Sequence, residues 1–423
     1  FFLWKFLPNQ GGLITNLDTT LLRVIISWLE KLSQTLNKGH IMKRRKFISG
    51  ALAGGVVAGT VGYIAGKKNR KGPDTKPNKK GGQTPAILQD VFEWKMVTSW
   101  PKNFPGGGTS AQYLADLVSS MSNGRLKIKL YSAGELVPAF EVFDAVREGT
   151  AECGHSAPYY WIAKHKSLPF FCAVPGGLTV MEHNAWIQYG GGQELWDKTY
   201  SEFGLKAFMA GNTGVQMGGW FRNPLNSLDD FKGLKMRIPG LAAEVINRMG
   251  ATAVNMPGGE IMPALESGVI DAAEWVGPWN DLAFGFHKVA KHYYGPGFHE
   301  GSTCNEFMMN SEAWEKLPQD LRDIVYAACT TCNNHGPSEY FARNAESLPI
   351  LLNQHGVKLH SYPKDVITQM YKISNDVVEE TSKDNALTNQ VYSSWSKFRQ
   401  SAMSYQPLSN YGFTKDRAMA YDG

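Results

Sequence analysis

From Phe92 onward, short apolar runs alternate with amphipathic stretches of helical length, and that alternation narrows the fold more than any other feature. Strands separated by helices of roughly 10–15 residues build βαβ units, so the pattern predicts an α/β fold with largely parallel sheets. Phe92–Trp100 reads as a strand, followed by a loop over Pro101–Gly108. Thr109 then caps a helix to Met121, with Leu114, Leu117 and Val118 at helical spacing. Arg125–Tyr131 alternates as a half-buried strand, and Phe140–Glu148 is helical. Strands at Leu205–Ala210, Leu234–Ile238 and Ala253–Met256 are interleaved with helices at Leu241–Arg248 and Glu260–Ser267. From Ser311 the pattern is mostly helical, in two long stretches separated by Val357–Tyr362. With no internal repeat and no long linker after residue 90, the expectation is one bilobed unit over 91–423. Its two sheet-containing lobes are interleaved in sequence around a hinge, and long helices close the chain.

The formal charge of +5 hides a division. Residues 1–84 carry 15 Lys/Arg against three acids, whereas the rest holds 28 basic and 35 acidic residues. The body is mildly acidic, so it does not present itself as a nucleic-acid binder. Met42 opens Met42-Lys-Arg44-Arg45-Lys-Phe47-Ile48, followed by a weakly apolar run to Gly66. A charged segment before a short apolar stretch is a secretory signal, and the adjacent arginines make 42–66 a twin-arginine segment with a periplasmic destination. Residues 1–41 are then upstream translation, and 67–90 form a basic, Pro/Gly-containing linker. No clean Ala-x-Ala site follows the apolar run. Its 19 residues approach the ~30 Å of a hydrocarbon core, so an uncleaved segment tethering the body to the membrane stays open.

Familiar catalytic motifs are missing: there is no GxSxG, HExxH, GxxxxGK[ST] or GxGxxG. Gly106-Gly-Gly108 and Gly190-Gly-Gly192 lack phosphate-loop spacing and read as flexible turns. Cys329 and Cys332 form a CxxC in a helical-looking run without a second CxxC. They read as a core pair, which an oxidising compartment could convert to a local disulfide. An exported enzyme with an unrecognised site remains the rival class, with no cluster of catalytic residue types to support it.

Polar residues embedded in apolar strand ends stand out instead. Gln216 lies in Asn212-Thr-Gly-Val-Gln216-Met-Gly-Gly-Trp220-Phe221, and Arg237 in Leu234-Lys-Met-Arg237-Ile-Pro239-Gly240. Glu274 and Trp275 lie in Gly268-Val-Ile-Asp271-Ala-Ala-Glu274-Trp275-Val276-Gly277-Pro278. A charge in such a setting is costly unless paired. Either Arg237 and Glu274 form a structural ion pair, or they belong to a ligand site at strand ends.

From about Phe92 to its end, the chain resembles the extracytoplasmic solute receptors of TRAP transporters, the DctP-like family. The resemblance rests on Leu234–Gly240 after Asp230-Phe-Lys-Gly233. Thr98–Asn103, Gly214–Phe221 and Glu260–Pro278 point to the branch that binds 2-oxo acids such as pyruvate. It implies a periplasmic-binding-protein-like fold, no catalytic cofactor, membrane subunits as partners, and dimers that swap a C-terminal helix within Asp365–Phe398. By the same resemblance Arg237 binds the ligand carboxylate, while Gln216, Glu274 and the main-chain carbonyl of Trp275 hold a cation, sodium or calcium. Glu300, in Phe298-His-Glu300-Gly301, falls near a further cation contact. Tyr159 and Trp161 are candidates for the pocket wall, although such aromatics are more often core. Other organic acids, dicarboxylates or sugar acids, are the alternative ligands.

Physics favours the same constellation. A guanidinium matches a carboxylate with two parallel charge-assisted hydrogen bonds. Arg237, Glu274 and a monocarboxylate together leave one net negative charge, which a monovalent cation cancels. Carboxylate, amide and carbonyl oxygens are what hard cations prefer.

Overall fold

The computed structural model describes residues 90–420, so the expectations for residues 1–89 lie outside the described residues. Its strands, in chain order, are β1 (Phe92–Thr98), β2 (Leu126–Tyr131), β3 (Cys153–Ser156), β4 (Leu205–Asn212), β5 (Gly219–Phe221) and β6 (Lys235–Arg237). They continue as β7 (Thr252–Val254), β8 (Ala272–Ala273), β9 (His292–Tyr294), β10 (Cys304–Asn310) and β11 (Lys358–His360). One sheet has the order β2-β1-β3-β10-β4 and the other β11-β9-β5-β8-β6-β7. This is the expected α/β, two-sheet architecture.

The expectation of largely parallel sheets needs correction. β1 is parallel to β2 and β3, but β10 runs antiparallel to β3 and β4. In the second sheet β5 is antiparallel to β8 and β9, while the β6–β7, β6–β8 and β9–β11 pairs are parallel. The cause is how the chain passes between sheets. β5 follows β4 across residues 213–218, and β10 follows β9 across residues 295–303. A strand that arrives from the other sheet needs no helical crossover, which parallel neighbours would require. Gly214 and Gly219, at φ +75° and +124°, let the first crossing turn where a side chain would be strained.

The first helix spans Gly107–Met121, beginning two residues before the expected cap at Thr109. Gly107 and Gly108 are therefore its first turn and not a flexible one, because crowding admits no side chain there. A Cβ on Gly107 would sit 2.8 Å from the Trp100 ring, and one on Gly108 2.9 Å from the Pro101 carbonyl. Leu114 and Val118, one turn apart, are fully buried beside β2. Such side chains contribute about 1.5–3 kcal/mol each.

The helix Gln319–His355 runs for 37 residues and packs against β4, the Gly107–Met121 helix and the Pro278–Phe284 helix. Cys329 and Cys332 lie on its buried face, and all five cysteines are free. Burial pushes the Cys332 thiol up to about 12 and Cys329 well above its usual value, so neither is a ready nucleophile. The later helical stretch divides into Lys364–Thr381 and Ala386–Tyr405, followed by Asn410–Ala418, which has no buried residue. Among the described residues no helix is long and apolar enough to cross a membrane. Both apolar clusters draw on both sheets: Val97 and Met308 share one with Phe221 and Met236, and Phe208 and Phe307 share the other with Trp220 and Tyr293.

Candidate functional site

Strand register brings the charged residues together. In the parallel β6–β8 pair Arg237 stands opposite Ala273, which places Glu274 one residue further along, with its N–H donating to the Arg237 carbonyl at 3.0 Å. Both side chains are 1% exposed. Arg237 Nη1 donates to the Glu274 carbonyl at 2.8 Å and to Glu274 Oε2 at 3.3 Å, while Nε donates to the Met256 carbonyl at 3.2 Å. The ion pair anticipated as a structural alternative therefore exists. It does not exhaust the two side chains. Arg237 Nη2 and Glu274 Oε1 have no hydrogen-bond partner. Leaving such groups unpaired in the interior is expensive, which marks them as unspent capacity.

Gln216 reaches the same place from the β4–β5 crossing. Its N–H donates to the Glu300 carbonyl at 3.1 Å, and its carbonyl accepts from Gly297 at 2.8 Å. Its Nε2 donates to Thr213 Oγ1 at 3.1 Å and Thr303 Oγ1 at 2.8 Å. Both donor hydrogens are thereby spent, leaving Oε1, buried and unpartnered, as an acceptor. Glu300, 2% exposed, accepts from Thr303 Oγ1. Together with His299 and Glu274 it forms a buried group whose ligand atoms all lie within 4.8 Å of one another. His299 Nε2 lies 3.6 Å from Glu274 Oε1.

Burial governs the electrostatics. It pushes Glu274 up to about 8 against the pull of Arg237, and Glu300 up to about 7 with help from Glu274. It lowers His299, which sits neutral. Burial also opposes the Arg237 charge, but Glu274, Tyr160 and Tyr159 outweigh it and the net direction is upward. A hard cation is the natural complement of this donor set. Gln216 Oε1 and Glu274 Oε1 are buried oxygens without partners, and Glu300 adds a third side chain of the same chemistry. Glu300 also changes the charge count made from Arg237 and Glu274 alone. With both carboxylates ionised and a monocarboxylate bound, a divalent ion brings the sum to zero.

The adjoining cavity is narrow, about 20 Å³, and aromatic: Trp100, Phe104, Tyr159, Tyr160, Trp275 and Tyr340 line it with Gln216, Thr213, Thr303, Asn280 and Asn305. Tyr159 thus stands in the wall, as does the Trp275 ring, over which the Arg237 guanidinium lies at 5.0 Å. Trp161 does not line this cavity. Its indole N–H donates to Glu306 Oε1 at 2.8 Å inside the core. Neither Lys nor Arg belongs to the lining. The sequence reading missed His299, Thr303, Asn280 and Tyr340; only Thr303 and His299, flanking Glu300, lay within reach of a signal.

Residues 96–384 match the bacterial extracellular solute-binding proteins of family 7, DctP. Over 320 residues the chain is 42% identical to a monocarboxylate 2-oxoacid-binding periplasmic protein of Nostoc, covering 76% of this chain and 87% of the relative. A TRAP periplasmic solute-binding protein from Pseudoalteromonas atlantica, with sodium and pyruvate bound, is 38% identical with a TM-score of 0.75, covering 77% of this chain and 99% of that one. A TRAP transporter solute-binding protein from Bordetella bronchiseptica, a dimer with calcium and picolinate in one active site, is 37% identical with a TM-score of 0.77. The match covers 79% of this chain and 99% of the Bordetella protein.

Proposed function

This chain belongs to the bacterial extracellular solute-binding proteins of family 7, the DctP family of TRAP receptors, and from that premise we propose that its ligand is a small 2-oxo monocarboxylate held by an arginine and a cation. The carrying observation is the mixed set of unpartnered atoms in one buried cluster. Arg237 Nη2 suits an anionic oxygen, whereas Gln216 Oε1 and Glu274 Oε1 suit a positive charge. One ligand carboxylate and one cation satisfy both.

Gln216, Glu274, the Trp275 main-chain carbonyl and Glu300 would hold the ion, which would supply positive charge beside the anionic ligand. The two buried glutamates favour calcium over sodium by the charge count. Because Nε and Nη1 of Arg237 are engaged, the guanidinium offers a single free nitrogen, and the two-pronged grip expected from sequence requires either Glu274 to release Nη1 or the Met256 carbonyl to release Nε. A dicarboxylate lacks a cationic partner for its second carboxylate, because neither Lys nor Arg belongs to the cavity lining. Capture proceeds by closure of the two sheet-bearing lobes about the crossings at 213–218 and 295–303, after which the loaded receptor meets its membrane subunits.

The same reading extends to export and assembly. Arg44-Arg45 direct the chain across the inner membrane by the twin-arginine route, and replacing both with Lys is expected to leave the protein in the cytoplasmic fraction. The C-terminal helices offer exposed apolar side chains, Leu408 at 84% and Phe413 at 67%, which a second copy would cover. Light scattering on protein with and without residues 406–423 tests that dimer.

Calorimetry on protein refolded free of ligand tests the ligand itself. Pyruvate is expected to bind with calcium present, more weakly with sodium, and not after chelation. Tighter binding of succinate or sialic acid than of any 2-oxo acid would overturn the proposal.

A further inference from the structure

Resting on the proposal of an oxo-acid ligand, we infer that Asn280 touches that ligand and that Tyr340 is the positioning residue that aims its amide. Asn280 is 1% exposed, sits in the first turn of the Pro278–Phe284 helix and lines the cavity with Gln216 and Trp275. Its Oδ1 accepts a hydrogen bond from the Tyr340 hydroxyl at 3.3 Å, while its Nδ2 has no partner. An amide can be turned over to exchange oxygen and nitrogen, so its orientation has to be argued from its neighbours.

Tyr340 supplies that argument. The Tyr340 hydroxyl is pressed against the backbone at the start of the first helix. Its proton is given to Asn280 Oδ1. The Tyr340 contact leaves Nδ2 free to face the cavity as a donor. Its close fit explains the glycines: a Cβ on Gly106 would lie 2.0 Å from the Tyr340 hydroxyl. A second tie from the long helix fixes the backbone beneath the amide, because the Trp279 N–H donates to Asn344 Oδ1 at 2.9 Å. Three elements distant in sequence thus hold one buried donor facing the ligand space.

A donor in this position recognises an acceptor oxygen. Arg237 contributes one free nitrogen, and a carboxylate with its 2-oxo group has three oxygens to be read. Asn280 Nδ2 serves one of those that Arg237 and the cation leave. It thereby selects acids whose oxygens are acceptors over analogues that present an ammonium donor in their place.

The test is a double-mutant cycle read as pyruvate affinity at saturating calcium, with calcium affinity in the absence of acid as the control. Asn280→Leu is expected to weaken pyruvate about 10- to 100-fold, in line with the loss of a buried hydrogen bond, and to leave the calcium control within about threefold. Tyr340→Phe is expected to cost about 3- to 10-fold in the wild-type background, and nothing once Asn280 is Leu. Asn280→Ala serves if the leucine variant does not fold. Wild-type affinity in Asn280→Leu or Asn280→Ala overturns the inference, as does an equal Tyr340→Phe loss in both backgrounds. A wild-type protein that binds no 2-oxo acid overturns the proposed ligand and this inference with it.

Discussion

Two kinds of buried carboxylate occur in this molecule, and they differ in what their oxygens do. Glu306 on β10 is fully buried and satisfied: Trp161 Nε1 donates to one oxygen and Tyr200 to the other. Asp281 repeats the scheme beside the second sheet, where Trp220 Nε1 at 2.9 Å and the Tyr293 hydroxyl at 2.7 Å both donate to Oδ2. Glu274, equally buried, keeps an oxygen without a partner beside an arginine nitrogen and an amide oxygen in the same condition. Burial raises Glu306 and Asp281 to about 7 and Glu274 to about 8, so depth and titration do not separate the two kinds. Unspent hydrogen-bonding capacity does. The first kind holds the scaffold, and the second waits for something that the chain does not itself supply.

The largest effect should come from Arg237→Ala. Pyruvate binding is expected to vanish in calorimetry, because Arg237 Nη2 is the unpartnered cationic donor of the buried cluster, and neither Lys nor Arg lines the adjoining cavity among the described residues. Removing one partner of a buried pair costs about 3–5 kcal/mol of stability. The lower end is expected here, since Glu274, already pushed up to about 8, can take up a proton. Urea unfolding checks that part. Binding within tenfold of wild type would make Arg237 a member of the scaffold class.

A paired substitution sharpens the contrast. Glu306→Leu leaves the Trp161 and Tyr200 donors unpaired, so stability should fall by about 1–3 kcal/mol for each while pyruvate affinity stays within about threefold. Glu274→Gln should do the reverse, weakening cation-dependent binding about 100-fold or more and shifting unfolding free energy by about 1 kcal/mol or less. If both variants lose stability alone, the distinction between the two kinds of carboxylate collapses.

How far the sequence announces each class follows from where its residues lie. Arg237 and Glu274 are legible because each interrupts an apolar run, and a charge there demands a reason. Gln216 stands out as a polar residue in the same way, while its role as a cation ligand, and that of Trp275, come through the family resemblance. Asn280 and Tyr340 are silent because neither carries a charge that demands a reason in its local run, and their meaning arises only where the long helix meets the Pro278–Phe284 helix. The scaffold carboxylates are equally silent: the donors to Glu306 come from residues 145 and 106 positions away. Strand direction also escapes, since β5 and β8 have three and two residues, too short for any periodicity. The alternation of strands and helices survives because it is local, whereas antiparallel pairing reflects passage between sheets.

The smallest expected effect concerns pH, and it isolates the scaffold class. Burial lifts Glu306 from the usual 4.5 to about 7, so the folded chain holds that proton more tightly than the unfolded one. Its stabilising contribution is complete below about pH 4.5 and is lost as pH rises through about 7. His155 and His183 oppose it: burial lowers both from 6.5 to about 4, so their contribution is present above about pH 6.5 and fades as pH falls toward 4. The wild-type profile therefore mixes opposing slopes over one window, and its shape alone decides little. The difference between wild type and Glu306→Gln removes the histidine contribution, which both proteins share. Urea midpoints of ligand-free protein at pH 5, 6, 7 and 8 should show wild type gaining on the variant as pH falls. A difference independent of pH would mean that Trp161 and Tyr200 keep Glu306 ionised despite its burial, and that hydrogen bonding outweighs desolvation in the scaffold class.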